Sequence, residues 1–327
     1  MKLAGKRILL TGGGGFIGSH LAERLVKEGA KVKVFLRYTS RGERGFLADS
    51  GLADSVEIIH GDLKDSDAVK KAMDKTDVVF HLAALIAIPY SYKHPLDVVE
   101  TNVIGTLNVL NAAKEIGVEK IVHTSTSEVY GTAIYTPIDE KHPLQGQSPY
   151  SASKIGADKI AESFHLSFGL PVATMRPFNC YGPRQSMRAV IPTIITQALK
   201  GVEVKVGSLH PTRDFTFVAD TVSGFVRVAE EEKSVGEVIN IGSGTEISVG
   251  ELVKKIGGLV GKELVVKQAK ERVRPERSEV QQLIADSRKA RELLGWEPKV
   301  SLDEGLKETI KWFSNNIDRF RPWEYVV

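Results

Sequence analysis

Near its start the chain carries a short apolar run, Arg7 to Thr11, that passes without a break into TGGGGFIGSHL. Few local patterns restrict a fold more. Gly13, Gly15 and Gly18 satisfy G-x-G-x-x-G, while Gly12, Gly15 and Gly18 satisfy G-x-x-G-x-x-G. Either spacing permits a tight turn, close approach of backbone to a pyrophosphate, and close packing of helix on strand. A helix opening near Phe16 would aim its first N–H groups at the phosphates. Because the glycines follow a strand and open a helix, they predict a dinucleotide site.

The rest of the first half agrees with that start. Candidate strands at 7–11, 32–37, 56–60, 78–82, 121–124 and 172–176 alternate with helical patterns at 16–28, 66–73, 96–116 and 150–168. Such alternation with short connections argues an α/β chain, a doubly wound parallel sheet covered on both faces. After Arg176 the rhythm breaks into RPFNCYGPRQ and shorter elements, and a strand at 238–241 is expected to rejoin the sheet. At 327 residues two lobes can share a cleft. The expected division is a dinucleotide-binding domain of 1–176 plus about 237–244, and a smaller α/β substrate lobe of about 177–236 and 245–327.

Composition narrows the function classes. No apolar run reaches the roughly 18 residues a membrane helix needs, and MKLAGKRILLTGG reads as a first strand, not a signal peptide. The single cysteine, Cys180, rules out an internal disulfide and suits a reducing cytoplasm. A net charge of +3 with interleaved signs gives no nucleic-acid stripe, and no metal ligand set is expected.

In an NAD site the second strand usually ends in an acid that binds the adenosine ribose. Here VKVFLRYTSR has Leu36 at that place, then Arg37, with Arg41 four residues on. A guanidinium there suits a 2′-phosphate, so the reading is NAD(P) with a lean to NADP. Asp62, in Gly61-Asp62-Leu63, is placed to meet the adenine edge.

Two further stretches carry chemistry. HTSTSEVYG ends a buried strand with Thr124, Ser125, Thr126 and Ser127, then Glu128, a carboxylate that is costly near a core unless paired or employed. Tyr150 and Lys154 stand at i, i+4 on one helix face. A Lys⁺ beside the phenol, together with a nicotinamide cation, would lower the Tyr150 pKa towards the working pH.

With TGGGGFIG, HLAA at His81–Ala84, Asn102, HTSTSEVYG and the Tyr150–Lys154 pair together, the sequence resembles the extended short-chain dehydrogenase/reductases, the nucleotide-sugar epimerases and dehydratases, over nearly its whole length. More narrowly, HLAALIAIPYSY, LQGQSPYSASKIGADKIAESF and PTRDFTFVADTVSGF look like the NDP-N-acetylglucosamine 4,6-dehydratases of legionaminic-acid-type pathways. The resemblance implies that Thr126 bonds the sugar O4, Tyr150 is the acid/base there, and Lys154 binds the nicotinamide ribose. It extends the cofactor contacts to Phe16, Ile17, Leu63, Leu82, Ala83, Ala84, Asn102, Thr124 and Pro177. Asn179, Arg213 and Arg274 match residues that face the substrate diphosphate, although Arg213 could instead pair with Asp214 or Asp220, and Arg274 could belong to a surface charge run. The cofactor would be tightly bound and regenerated, and the partner a nucleotide-diphosphate sugar. The helices 96–116 and 150–168 look like those of the family's homodimer interface.

In a 4,6-dehydratase Glu128 would remove the C5 proton. Known 4,6-dehydratases carry Thr-Asp-Glu, with the Asp protonating O6, whereas this chain has Thr126-Ser127-Glu128. That trio also resembles UDP-glucuronate decarboxylases. Three classes therefore stand: dehydratase, epimerase or decarboxylase on the same scaffold, and a non-enzymatic dinucleotide sensor. The last has no use for Thr126, Tyr150 and Lys154.

Overall fold

A computed structural model describes residues 1–38, 44–52 and 55–324. The first half runs β1 (Arg7–Thr11), α1 (Phe16–Lys27), β2 (Lys31–Arg37), β3 (Val56–Gly61), α2 (Ser66–Met73), β4 (Val78–His81), α3 (Ile88–Lys93), α4 (Pro95–Val99), α5 (Gly105–Ile116), β5 (Lys120–Thr124), α6 (Pro149–Phe168) and β6 (Val172–Pro177). The second half runs β7 (Asn179–Tyr181), α7 (Val190–Lys200), β8 (Glu203–Val206), β9 (Thr212–Arg213), β10 (Phe215–Phe217), α8 (Val218–Glu230), β11 (Val238–Ile241), β12 (Ile247–Ser248), α9 (Val249–Val260), β13 (Val265–Gln268), β14 (Gln282–Leu283), α10 (Arg288–Leu294) and α11 (Leu302–Asn315).

Seven strands form one sheet in the order β11-β6-β5-β4-β1-β2-β3. Every pairing in it is parallel. The strand order reverses between β1 and β4, which opens a crevice at the carboxyl ends of the strands. Period-2 side-chain alternation sorts the apolar residues onto two faces. Ile8, Leu10, Val78, Phe80 and Val122 enter one core, while Leu9, Val79, Ile121 and Val172 enter the other. Helices α1 and α8 pack together on the first face, and α2, α5 and α6 on the second.

Local chemistry fixes the helices that matter for the cleft. Helix α6 begins at Ser148, whose hydroxyl accepts from the Ser151 N–H in a capping box, with Pro149 in its first turn. It ends at Gly169 with φ +66°, a conformation glycine adopts without strain. The predicted helix 96–116 is one continuous element interrupted by a π-turn at Glu100–Ile104. The stretch beyond Arg176 is more helical than its loop-like sequence suggests, with α7, α8, α9 and α11 each longer than ten residues. The strands there are short, and their main-chain partners lie far off in sequence, so periodicity alone does not reveal them. Among the described residues no helix is long and apolar enough to cross a membrane.

Candidate active site

The carboxyl ends of the sheet and the second half of the chain enclose a cleft of about 1250 Å³. One drug-sized ligand fills roughly 300–1,000 Å³, so this cleft has room for two ligands end to end.

At one end lies the glycine turn. Gly12 has φ +76° and sits against the backbone of Ala83, so a Cβ there would lie 2.9 Å from Ala83. A Cβ on Gly18 would lie 2.2 Å from the Gly12 carbonyl oxygen, so only glycine lets α1 start this close to β1. Gly15 caps α1 without a side-chain hydrogen bond, which leaves the first-turn amides directed at the cleft. Phe16, Ile17, Arg37, Asp62, Leu63, Leu82, Ala83, Ala84, Thr124 and Pro177 all line it. These residues fit a dinucleotide: a glycine cradle at a helix N-terminus continues into an apolar wall at the ends of β4, β5 and β6.

A chain of hydrogen bonds pins that wall. Thr106 Oγ1 donates to the Asn102 carbonyl at 2.6 Å, so it accepts from His81 Nε2 at 3.0 Å. His81 Nδ1 then accepts from Thr11 Oγ1 at 2.9 Å, and Thr11 in turn accepts from the Ala83 N–H at 3.1 Å. Burial holds His81 well below the ordinary histidine pKa, which keeps it the neutral tautomer this network needs.

Asn102, expected among the cofactor contacts, does not line the cleft. Its amide is spent on the Leu85 N–H (2.8 Å), the Leu85 carbonyl (2.9 Å) and Ser153 Oγ (2.9 Å). It lies in the π-turn and ties the loop after β4 to α6, so it shapes the cofactor wall from behind. Arg41 lies outside the described residues. Arg37 is exposed at the end of β2, and its charge helps to lower the Asp97 pKa, behind the Tyr90 hydrogen bond and Lys64.

The strand-end hydroxyls have separate employments. Thr124 faces the cleft, and its buried Oγ1 has no hydrogen bond. Ser125 Oγ donates to Asp158 at 2.7 Å. Thr126 caps a short 3₁₀ turn, Ser127–Tyr130, by accepting from the Glu128 N–H, and its hydroxyl is near enough to the Tyr150 phenol to oppose part of the rise in its pKa. Ser127 and Glu128 line the cleft with Tyr150. Lys154 stands behind them, its Nζ donating to the Thr124 carbonyl at 2.7 Å.

The expected lowering of the Tyr150 pKa is not what this geometry gives. Burial pushes the phenol up, the Thr126 hydroxyl only partly opposes it, and the charges of Glu128 and Asp158 add to the rise. Burial likewise lowers Lys154 to about 8. A neutral, proton-holding Tyr150 is the resting state of this site, and only an added positive charge would favour the phenolate.

Arg213 and Arg274 face the same cleft. Arg213 pairs with neither Asp214, which accepts from Ser243, Gly244 and Ala285, nor Asp220, which accepts from Lys299 and Val300. It pairs with Glu279 at 3.3 Å. Arg274 lies 3.9 Å from Glu128 and 3.8 Å from Glu279, so it is no part of a surface charge run. Glu279 is the functional candidate the sequence reading missed. Its one signal, a carboxylate five residues after Arg274, looks in the sequence like ordinary charge alternation. Asn179 Nδ2, Gln185 Oε1 and Arg274 Nη1 are buried without hydrogen bonds. With Thr124 Oγ1 they make four of the seven such atoms among the described residues, all on this cleft. Each orphan costs about 1–3 kcal/mol, a concentration that points to polar ligand groups. Cys180 also reaches the cleft, but burial pushes its thiol up to about 12, which suits packing and not nucleophilic attack.

Comparison with known proteins agrees with this geometry. The family profile described as GDP-mannose 4,6 dehydratase matches residues 9–309. The chain is 36% identical to a UDP-glucose 4-epimerase of Mycolicibacterium smegmatis, over 94% of this chain and 99% of that protein. It is 37% identical to a UDP-N-acetyl-alpha-D-glucosaminuronate decarboxylase of Bacillus cytotoxicus, over 94% and 98%. A dTDP-glucose 4,6-dehydratase from Streptomyces venezuelae, solved with NAD bound, superposes with a TM-score of 0.90 at 31% identity, over 97% of this chain and 100% of that one.

Tyr150→Phe removes one hydroxyl from this constellation and leaves the glycine cradle untouched. The variant is expected to keep its bound nucleotide while turnover falls by about a thousandfold or more. Undiminished turnover would remove Tyr150 from the chemistry.

Proposed function

This chain belongs to the GDP-mannose 4,6-dehydratase family of extended short-chain dehydrogenase/reductases, and from that premise we propose that it is a nucleotide-sugar 4,6-dehydratase acting on an N-acetylglucosamine nucleotide. The observation that carries the reading is the Glu128 carboxylate on the cleft wall, within electrostatic reach of the Tyr150 phenol. A 4-epimerase works at C4 alone and needs no base at C5.

When bound, a nicotinamide dinucleotide supplies the reversible acceptor for the C4 hydrogen and its electron pair. Tyr150, oriented by Thr126, takes the O4 proton, and the Lys154 cation favours that transfer. The resulting C4 carbonyl acidifies the proton on C5. Glu128 takes that proton, and the C–H electron pair forms the C5–C6 double bond as O6 departs. With Ser127 where an acid would stand, Glu128 also returns the proton to the leaving oxygen, and water is lost. The hydrogen taken from C4 would then come back, with its electron pair, to C6 while Glu128 passes a solvent proton to C5, which gives the 4-keto-6-deoxy sugar. The diphosphate lies against Asn179, whose Nδ2 is buried without a hydrogen bond, and against the Arg213 and Arg274 guanidiniums, which suit it by charge. In this reading residues of about 177–236 and 245–327 form the substrate lobe over 1–176 plus about 237–244.

One observation favours a second reading. A guanidinium 3.9 Å from the C5 base is suited to a carboxylate at C6, and decarboxylation of a hexuronate needs no acid at O6, in keeping with Ser127. Product mass separates the readings: loss of water, loss of carbon dioxide, or no change for an epimerase. The panel is UDP-N-acetylglucosamine, UDP-glucose, dTDP-glucose and UDP-glucuronate, and water loss is expected. Glu128→Gln should block that loss while still allowing reduction of the bound nicotinamide, seen as substrate-dependent absorbance. In deuterated water the wild-type product should gain deuterium at C5 and the substrate held by the variant none. Near-normal water loss by Glu128→Gln would end the assignment.

For the cofactor, a neighbour holding NAD and the charge of Asp97 beside Arg37 support NAD over the NADP preference read from Arg37. Nucleotide extracted from the purified protein should be NAD; NADP alone would restore the earlier preference.

A C2 dimer through the helices 96–116 and 150–168 is supported by exposed Leu96, Val99 and Ile104 on the first, and by Leu166 and Phe168 on the second. Leu110 and Ala157, on the same two helices, are buried inside the chain. Sedimentation at micromolar concentration should show a dimer; monomer alone would count against it.

A further inference from the structure

Behind the catalytic pair lies a buried charge cluster that none of the steps above uses. Asp158, 4% exposed, sits one helical turn beyond Lys154 on α6. Its Oδ2 accepts from Ser125 Oγ at 2.7 Å and from Arg176 Nη2 at 3.0 Å and Nε at 3.2 Å. Its Oδ1 accepts from His123 Nε2 at 3.1 Å. One carboxylate thus joins α6, which carries Tyr150 and Lys154, to the end of β5, which carries Thr124 and Thr126, and to β6. Burial lowers the His123 pKa, and its Nδ1 is buried with no partner while Nε2–H donates to Asp158, which favours the neutral ring; His81 is neutral for the reason given above. The charges that remain are one anion, Asp158, between two buried cations, Arg176 and Lys154.

We propose that Asp158 is a positioning residue for hydride-transfer chemistry: through Ser125 it sets Thr126 against Tyr150, and through its charge it keeps Lys154 protonated. The geometry gives the first role directly. Ser125 stands between Thr124, whose carbonyl receives the Lys154 ammonium, and Thr126, which adjoins the phenol. Asp158 holds Ser125 from the same helix that bears both partners, so the two halves of the site move as one body. The second role follows from the surroundings of Lys154. Burial drives its pKa down to about 8, and Asp158 is the carboxylate that opposes the fall. Burial pushes Asp158 up, but the His123 hydrogen bond and the Arg176 and Lys154 charges hold it at about 2, so it stays ionised wherever the enzyme works.

The sign is then fixed. A Lys154 stripped of Asp158 loses its proton at lower pH than it does now, and the activity that needs the ammonium is lost earlier as pH rises. The titratable groups facing the cluster include His81 from β4, His123 from β5, Tyr130 from the turn after β5, whose hydroxyl accepts from Arg176 Nη1 at 3.0 Å, Arg176 from β6, and Tyr150 and Lys154 from α6, with Glu128 acting on Tyr150. Across a rear cavity of about 510 Å³ stand Glu140, His142, Lys159, Glu162, His165 and Glu237. The substitution below leaves all of these in place.

The inference rests on Tyr150 and Lys154 being the working pair, so Tyr150→Phe is assayed alongside with whichever nucleotide sugar of the panel gives product. Full activity in Tyr150→Phe sinks the functional reading itself; an inactive Tyr150→Phe leaves the roles of Asp158 to be decided separately. Asp158→Asn, nearly isosteric, should lower kcat by about tenfold or more with KM changed less than about threefold, and move the alkaline limb of kcat down by about one pH unit. Ser125→Ala, which keeps the charge and deletes one tether, should lower kcat severalfold with the limb unmoved. A folded Asp158→Asn whose limb and kcat match the wild type overturns the proposal. Should that variant not fold, Asp158→Asn combined with Arg176→Gln removes both charges and carries the pH test. Ser125→Ala decides the positioning role in either case, since wild-type kcat in it overturns that role.

Discussion

A parallel sheet buried on both faces must return each strand by a crossover connection, and this constraint puts all the carboxyl ends of the strands at one edge. One whole wall of the cleft hangs from that edge. The glycine turn follows β1, Arg37 closes β2, Asp62 follows β3, the HLAA wall continues β4, Thr124 to Glu128 continue β5, and Pro177 and Asn179 continue β6. Strand order reverses between β1 and β4, so the loops on either side diverge and leave the crevice open. Residues more than 100 positions apart thereby become neighbours without any feature of their own that would bring them together.

The cleft is also where the molecule places charge it could have left in water. Asp158 with Arg176 and Lys154 lies behind the reacting face, and Glu128 with Glu279, Arg213 and Arg274 lies along it. Desolvation makes each group costly, and losing one partner of a buried pair typically costs about 3–5 kcal/mol. Stability alone would be served as well by apolar side chains at these positions. In the proposed reading such groups are explained better by the chemistry: an ammonium behind a phenol, a carboxylate that acts as base on the sugar, and guanidiniums that meet phosphate or carboxylate.

The chemistry that separates the relatives turns on very few atoms. In the proposed reading the glycine turn, Thr126, Tyr150 and Lys154 serve the chemistry at C4 that dehydration, decarboxylation and epimerisation would share, and Glu128, Ser127 and the Arg274 guanidinium 3.9 Å from Glu128 are the groups that would separate them. Similar overall identity to an epimerase and to a decarboxylase is what such a division of labour produces.

Sequence was enough for the sheet, the glycine turn and the placing of Tyr150 and Lys154 on one helix, because each rests on short-range rules: period-2 alternation, glycine at set spacing, and i, i+4 on a helix. It also posed the problem of the strand-end hydroxyls in HTSTSEVYG. What it left open depends on contacts between distant segments. Nothing local in Glu279 says that it stands between Arg213 and Arg274, and nothing local in Asn102 says that its amide faces Leu85 and Ser153 instead of the cofactor. The rise that the protein groups alone give the Tyr150 pKa was not legible either, for the same reason. Spacing places Lys154 near the phenol, but burial and the charges of Glu128 and Asp158, which set the sign, exist only once three separate segments have packed. Local pattern fixed which groups are present and on which element; long-range packing fixed which charges they feel.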